Sequence, residues 1–176
     1  MPSQNLASRP QAEVTLRAMR AADIDAVLAV QSQCYRAELI ESRDALASRQ
    51  RLSPDTCFVA EEDGRVRGYL FAHPWQGETP PALDTPLPAL PEHCDTLFLH
   101  DMAISERLRG RGVAPRLMEK ALRSARARGY RYARLVAVQG AASYWRKLGF
   151  KPYPLGRGKL ACYGDGAEGM LAPLMH

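Results

Sequence analysis

The sequence has little of what marks several protein classes. Its four cysteines, Cys34, Cys57, Cys94 and Cys162, are widely spaced and form no C-x-x-C pair. That excludes a thiolate zinc module and a small disulfide scaffold, and fits reduced thiols. The histidines at 73, 93, 100 and 176 show no ligand spacing, so no metal is expected. No apolar run reaches the ~18 residues of a membrane span, so no membrane partner is expected. Met1-Pro2-Ser3-Gln4-Asn5 offers neither the basic nor the apolar stretch of an export signal, which makes the cytoplasm the expected compartment. Aromatic residues make up only 7% and do not alternate with basic ones as in a single-strand nucleic-acid platform. Internal repeats are absent.

What is present is a globular composition: 176 residues, 46% hydrophobic and 24% charged, enough for one domain with a substantial core. The net charge of +5 is unevenly spread. Residues 105–160 carry fifteen Lys and Arg against two acids, a net of +13, and the remainder nets −8. One third of the chain is therefore suited to an anion.

Residues 1–12 lack periodicity and read as a disordered tail, leaving 13–176 as the domain. Val14 to Arg17 reads as a strand, Asp23 as a helix cap before Ile24, Val27, Leu28 and Gln31, and Ser42 as the cap of a second helix running to about Arg51. Cys57 to Ala60, the turn Asp63-Gly64 and Val66 to Ala72 give a hairpin signal. Six of thirteen prolines then fall within 73–95, a loop long enough to be a lid or binding segment. Thr96 to Ile104 reads as a buried strand and Val113 to Arg128 as an amphipathic helix stopped by Gly129. A strand within 132–138, a short helix from Ala141 to Leu148, and a final hairpin from Leu160–Tyr163 to Gly169–Leu171 complete the order.

The chemistry is concentrated in Leu99-His100-Asp101-Met102-Ala103-Ile104-Ser105-Glu106-Arg107-Leu108-Arg109-Gly110-Arg111-Gly112-Val113-Ala114. A strand, a glycine turn and a helix start follow one another there. Glycines admit close backbone approach, the helix start presents unpaired N–H groups, and three arginines add charge, which together suit a phosphate. Gly164-Asp165-Gly166-Ala167-Glu168-Gly169 matches G-x-G-x-x-G, but too few residues follow it for a dinucleotide-binding unit, so it reads as turn chemistry. Gly156-Arg157-Gly158-Lys159 lacks P-loop spacing.

Arg107-Leu108-Arg109-Gly110-Arg111-Gly112 resembles the R/Q-x-x-G-x-G/A signature of the GNAT (GCN5-related N-acetyltransferase) superfamily. Tyr144-Trp145-Arg146-Lys147-Leu148-Gly149-Phe150 is similar to its second signature. The resemblance spans roughly 13–174. It implies a single α/β domain with a mixed, mostly antiparallel twisted sheet of six to seven strands, splayed between the strands at 96–104 and 132–138 and flanked by about four helices. It also implies acetyl-CoA as co-substrate and acetyl transfer to a primary amine by direct attack in a ternary complex. Pantetheine would pair with backbone at Met102, Ala103 and Ile104. Amides from Leu108 through Ala114, with Val113 among them, and the arginines would take the pyrophosphate, ending before Pro115, which has no N–H. Gln139 stands nearest the family asparagine. Dimers are common in the family, so a homodimer is among the expectations.

Acetylating an amine requires a group to take its proton. His100 is the candidate base; by strand alternation its side chain shares a face with Phe98 and Met102, and Asp101 faces the other way unless a bulge re-aims it. The core-histidine reading of His100 stands beside it. Trp145 occupies the place where relatives carry a tyrosine near the CoA sulfur, and Tyr144 is one position earlier; either Tyr144 protonates the leaving thiolate after a local shift, or the thiolate leaves unassisted or through water. Tyr35, Glu38, Glu41 and Asp101 are candidates for holding a cationic acceptor. The alternative class is a non-catalytic acyl-CoA binding or sensing domain. A nucleic-acid binder rests on charge alone.

Overall fold

A computed structural model describes residues 11–175, so residues 1–10 of the expected tail lie outside the described residues. Apolar alternation and turn chemistry account for most of the strands. β1 (Val14–Ala18), β2 (Phe58–Glu62) and β3 (Arg65–Pro74) form antiparallel pairs. The β2–β3 connection is Asp63-Gly64, both with positive φ (51° and 71°), as a twist-matched two-residue hairpin requires. α1 (Ile24–Cys34) follows Asp23, whose carboxylate bonds Arg17 and the Arg20 N–H rather than capping the helix through its side chain. α2 (Arg43–Leu52) starts as expected, with Ser42 Oγ accepting from the Ala45 N–H at 3.3 Å.

β4 (Thr96–Ile104) pairs antiparallel with β3 and parallel with β5 (Tyr132–Ala137). α3 (Val113–Ala127) connects them. It buries Val113, Leu117, Met118, Ala121, Leu122 and Ala125 on one face, each larger side chain contributing about 1.5–3 kcal/mol. α4 (Ala142–Lys147), β6 (Lys151–Pro152), α5 (Arg157–Leu160) and β7 (Glu168–Pro173) complete the chain. The sheet order is β1-β2-β3-β4-β5-β7-β6. α3 covers one face of the sheet, while α1 and α2 cover the other, over Val59, Tyr69 and Phe71.

The expected final hairpin is corrected. Leu160 to Tyr163 is helical turn, and β7 pairs with β5 on one side and Lys151–Pro152 on the other. Four alternating residues fit one helical turn as well as a short strand. Here tertiary contact decided between them: Tyr163 turns inward and its hydroxyl bonds the Pro81 carbonyl.

Two features of β4 shape the cleft. β4 and β5 pair only from Thr96–Leu99 to Tyr132–Leu135 and then part, as expected. Opposite, Phe71 pairs with Asp101 and Ala72 with Leu99, which leaves His100 as an extra, bulged residue.

Candidate active site

The bulge reverses alternation from His100 onward. Leu97 and Leu99 face α3, and after the extra residue Met102 and Ile104 do so too. His100 and Asp101 therefore share the opposite face. His100 sits against His73 and Phe98, with ring centroids 5.8 and 6.3 Å apart, while Asp101 accepts a 2.8 Å hydrogen bond from the Tyr69 hydroxyl. The expectation that His100 shares a face with Met102 is thus overturned by the bulge, and the exception made for Asp101 is realised.

Below the splay lies a cavity of about 570 Å³. One end is the turn after β4. Gly110 and Gly112 have φ of 73° and 71°, with no atom within 4 Å of where a Cβ would stand. The N–H groups of Leu108, Arg109 and Arg111 already bond the carbonyls of Ser105, Glu106 and Leu108. The expected donor set of 108–114 therefore narrows to Gly110, Gly112, Val113 and Ala114, the open glycine cradle and first turn of α3. The arginines divide as well. Arg109 lines the cavity, but Arg107 and Arg111 both bond the buried carboxylate of Glu62, at 2.5 and 2.6 Å, and line none of it.

Midway, the end of α1 lies across the wedge. The Tyr35 hydroxyl donates to the Met102 carbonyl at 2.7 Å, and the Ile104 carbonyl accepts from Arg109 Nε at 3.3 Å. Ser105 donates its N–H to the Arg67 carbonyl, so residues 105 and 103 point toward β3 and residues 104 and 102 toward the wedge. Gln139, at φ 52°, accepts from the Arg36 N–H and donates to the Cys34 carbonyl, tying the end of β5 to α1. Tyr144 and Trp145 both line the cavity. Trp145 is buried, packed edge-on against Phe150, whereas Tyr144 is 38% exposed and its hydroxyl has no protein partner among the described residues.

The other end holds the titratable groups. His100 Nε2 and Glu41 Oε1 are 2.7 Å apart, both side chains buried. Glu41 therefore belongs to His100 rather than standing free for an acceptor. Burial opposes ionisation of Glu41, but the His100 ring and Arg49 outweigh it and hold the carboxyl below its usual range. Burial lowers the His100 imidazole against the pull of Glu41. Burial, reinforced by Glu41, pushes Asp101 up to about 7 despite the Tyr69 and Tyr35 hydroxyls. His100 Nδ1 has no protein partner among the described residues. Glu38 is exposed and lines no part of the cavity.

Sequence reasoning missed Leu39, Leu83 and Tyr163, which line this end, as well as Arg49, fully buried behind it. Arg49 was findable: it falls four residues after Ala45 and three after Leu46, on the apolar face of α2. Leu83 and Tyr163 carry no local signal. Among the described residues no three His, Cys, Asp or Glu side chains gather as a metal site, and no helix is long and apolar enough to cross a membrane.

The sequence matches the family model "Acetyltransferase (GNAT) family" over residues 24–150. No curated protein matches it in sequence. Among solved structures, a GNAT-like decarboxylase, GphF, in complex with isobutyryl-CoA superposes with a TM-score of 0.77 at 21% identity, covering 92% of this chain and 100% of that one. Diaminobutyrate acetyltransferase EctA from Paenibacillus lautus, in complex with L-2,4-diaminobutyric acid and coenzyme A, gives 0.69 at 17%, covering 94% and 98%. The ribosomal-protein-S18-alanine N-acetyltransferase from Escherichia coli gives 0.65 at 16%, covering 93% and 96%.

Proposed function

The chain belongs to the GNAT acetyltransferase family of acyl-CoA-dependent acyltransferases, and from that premise we propose that it transfers an acetyl group from acetyl-CoA to a primary amine by direct attack in a ternary complex. The observation that carries this reading is the buried Glu41–His100 pair, with the second imidazole nitrogen unpartnered, at the opposite end of the cavity from the glycine turn.

Acetyl-CoA supplies an activated thioester carbonyl. The amides of Gly110, Gly112, Val113 and Ala114, with Arg109, would hold its diphosphate, for which the open glycine cradle leaves room. At the other end, the ionised Glu41 accepts Nε2–H and so fixes the His100 tautomer that leaves a lone pair on Nδ1. An amine near pKa 10.4 arrives mostly as ammonium. His100 Nδ1 takes its proton. Tyr144, whose hydroxyl burial makes less acidic than usual, keeps its proton until a thiolate needs one. Trp145 shapes the wall and has no hydroxyl to give.

The test is thiol release from acetyl-CoA against a panel of small amines, peptides and lysine-bearing proteins. His100→Ala is expected to lower kcat by ~10²–10⁴-fold with acetyl-CoA affinity intact; normal turnover would remove His100 from the mechanism.

A second reading is favoured by the enclosure of His100 together with the likeness to a decarboxylase. A β-carboxyacyl thioester that loses CO2 leaves an enolate carbon needing a proton; His100 would supply it only as the imidazolium, protonated at Nδ1 and held by the Glu41 carboxylate, returning to the neutral imidazole. Release of CO2 from malonyl-CoA without amine acetylation would select this reading.

A further inference from the structure

We propose that Asp84, in the proline-rich segment after β3, is a positioning residue that locks Glu41 and, through it, the His100 imidazole; this rests on the Glu41–His100 reading above. The two oxygens of Glu41 serve different partners. Oε1 meets His100 Nε2 at 2.7 Å, and Oε2 accepts the Asp84 N–H at 2.9 Å. Asp84 returns the contact, its Oδ1 accepting the Ser42 N–H at 2.7 Å. Residues 41–42 and 84 thus exchange two hydrogen bonds that belong to no helix or sheet ladder.

The backbone at Asp84 marks this as a built device. Its φ is 53°, a left-handed conformation that L-residues rarely adopt and that Asp and Asn tolerate best. Such a conformation persists only where the surroundings over-determine it, and here both the N–H and the carboxylate of the same residue are engaged.

The neighbouring backbone is anchored on both sides. The Pro81 carbonyl accepts from the Tyr163 hydroxyl, the Thr85 carbonyl from Arg49 at 3.0 Å, and the Leu87 N–H donates to Ser48 Oγ at 2.9 Å. Leu83 lines the cavity, whereas Asp84 is exposed and does not. Asp84 therefore acts through Glu41 and not by touching substrate. Without the latch, the Glu41 carboxylate loses the partner of its Oε2 while Gln31 still holds the Glu41 backbone, and the hydrogen bond that selects the His100 tautomer is no longer fixed.

The experiment compares Asp84→Ala, Asp84→Gly and Asp84→Asn with the unaltered chain, reading kcat, the KM for acetyl-CoA and the ¹⁵N signals of His100. Alanine removes the acceptor for Ser42 and resists positive φ. The expected result is a kcat lower by ~10–100-fold, as for a misaligned base, with the KM for acetyl-CoA within ~2-fold. The imidazole signals are expected to pass from a single Nε2–H form toward a mixture. Glycine keeps the backbone conformation but not the side chain, and falls between. Asparagine keeps both the acceptor oxygen and the tolerance of positive φ, and restores kcat and the signals.

Unaltered kcat and signals in Asp84→Ala would overturn the proposal, as would an Asp84→Asn chain as impaired as the alanine one. Should Asp84→Ala fail to fold, the glycine and asparagine chains carry the same decision. The ¹⁵N signals need no turnover. If they move in Asp84→Ala while no amine is acetylated, the latch stands and the acetyl-transfer reading falls.

Discussion

The two ends of the cavity are built in different ways. The glycine end is one continuous stretch, Ser105 to Ala114, whose function follows from local backbone: left-handed glycines, free amides and a helix start. The carboxylate end is assembled from Leu39, Glu41, Leu83, His100, Asp101 and Tyr163, drawn from separate elements and loops. A local site tolerates change elsewhere in the chain. An assembled one depends on every contact that brings its parts together, including those of Asp84 and Arg49, which lie outside the cavity lining.

The largest effect that would sharpen this contrast is at the glycine end. Arg109→Glu with Gly110→Glu should weaken CoA binding by at least ~100-fold, about 3 kcal/mol, measured by calorimetry, while the His100 signals stay in place. Retained affinity would detach that turn from the cofactor.

A middle-sized effect belongs to the carboxylate end. Asp101 is raised by burial from the usual carboxylate range to about 7, so between pH 4 and 7 the folded chain binds more protons than the unfolded one. Stability contributed by the neutral carboxyl is therefore lost as pH rises through that window. Asp101→Asn should remove the loss and gain on the order of 2–4 kcal/mol relative to the unaltered chain between pH 5 and pH 8, read from denaturant midpoints. A pH-independent difference between the two chains would place the Asp101 carboxyl in a solvated setting.

The smallest expected effect is instructive. Arg107 lies within the recognised motif, yet its side chain is 57% exposed and its guanidinium is bonded to Glu62. Arg107→Ala should change CoA affinity by no more than ~3-fold. A large loss would show that motif arginines leave their carboxylate partner when the ligand arrives.

The basic segment illustrates why net charge was a poor guide. Of its fifteen cations, Arg107 and Arg111 are spent on Glu62, Arg128 on Asp55, Arg146 on Glu168 and Lys159 on Glu78, and among the described side chains only Arg109 lines the cavity. Acids are likewise consumed, Asp23 and Glu61 by Arg17. The segment's surplus was legible; its allocation was not, because ion pairs form between residues far apart in sequence.

The sequence by itself determined the strands β1 to β5 and β7, the helix caps at Ser42 and Gly129, the Asp63-Gly64 hairpin and the glycine turn. These depend on periodicity, φ preference and unpaired backbone groups, all properties of neighbouring residues. Only the tertiary structure decided that His100 and Asp101 share a face, that Glu41 belongs to His100 and that Leu160–Tyr163 coils inward. Period-two reasoning fails at a bulge because one unpaired residue inverts every side chain after it, and that extra residue is visible only against the register of the neighbouring strand.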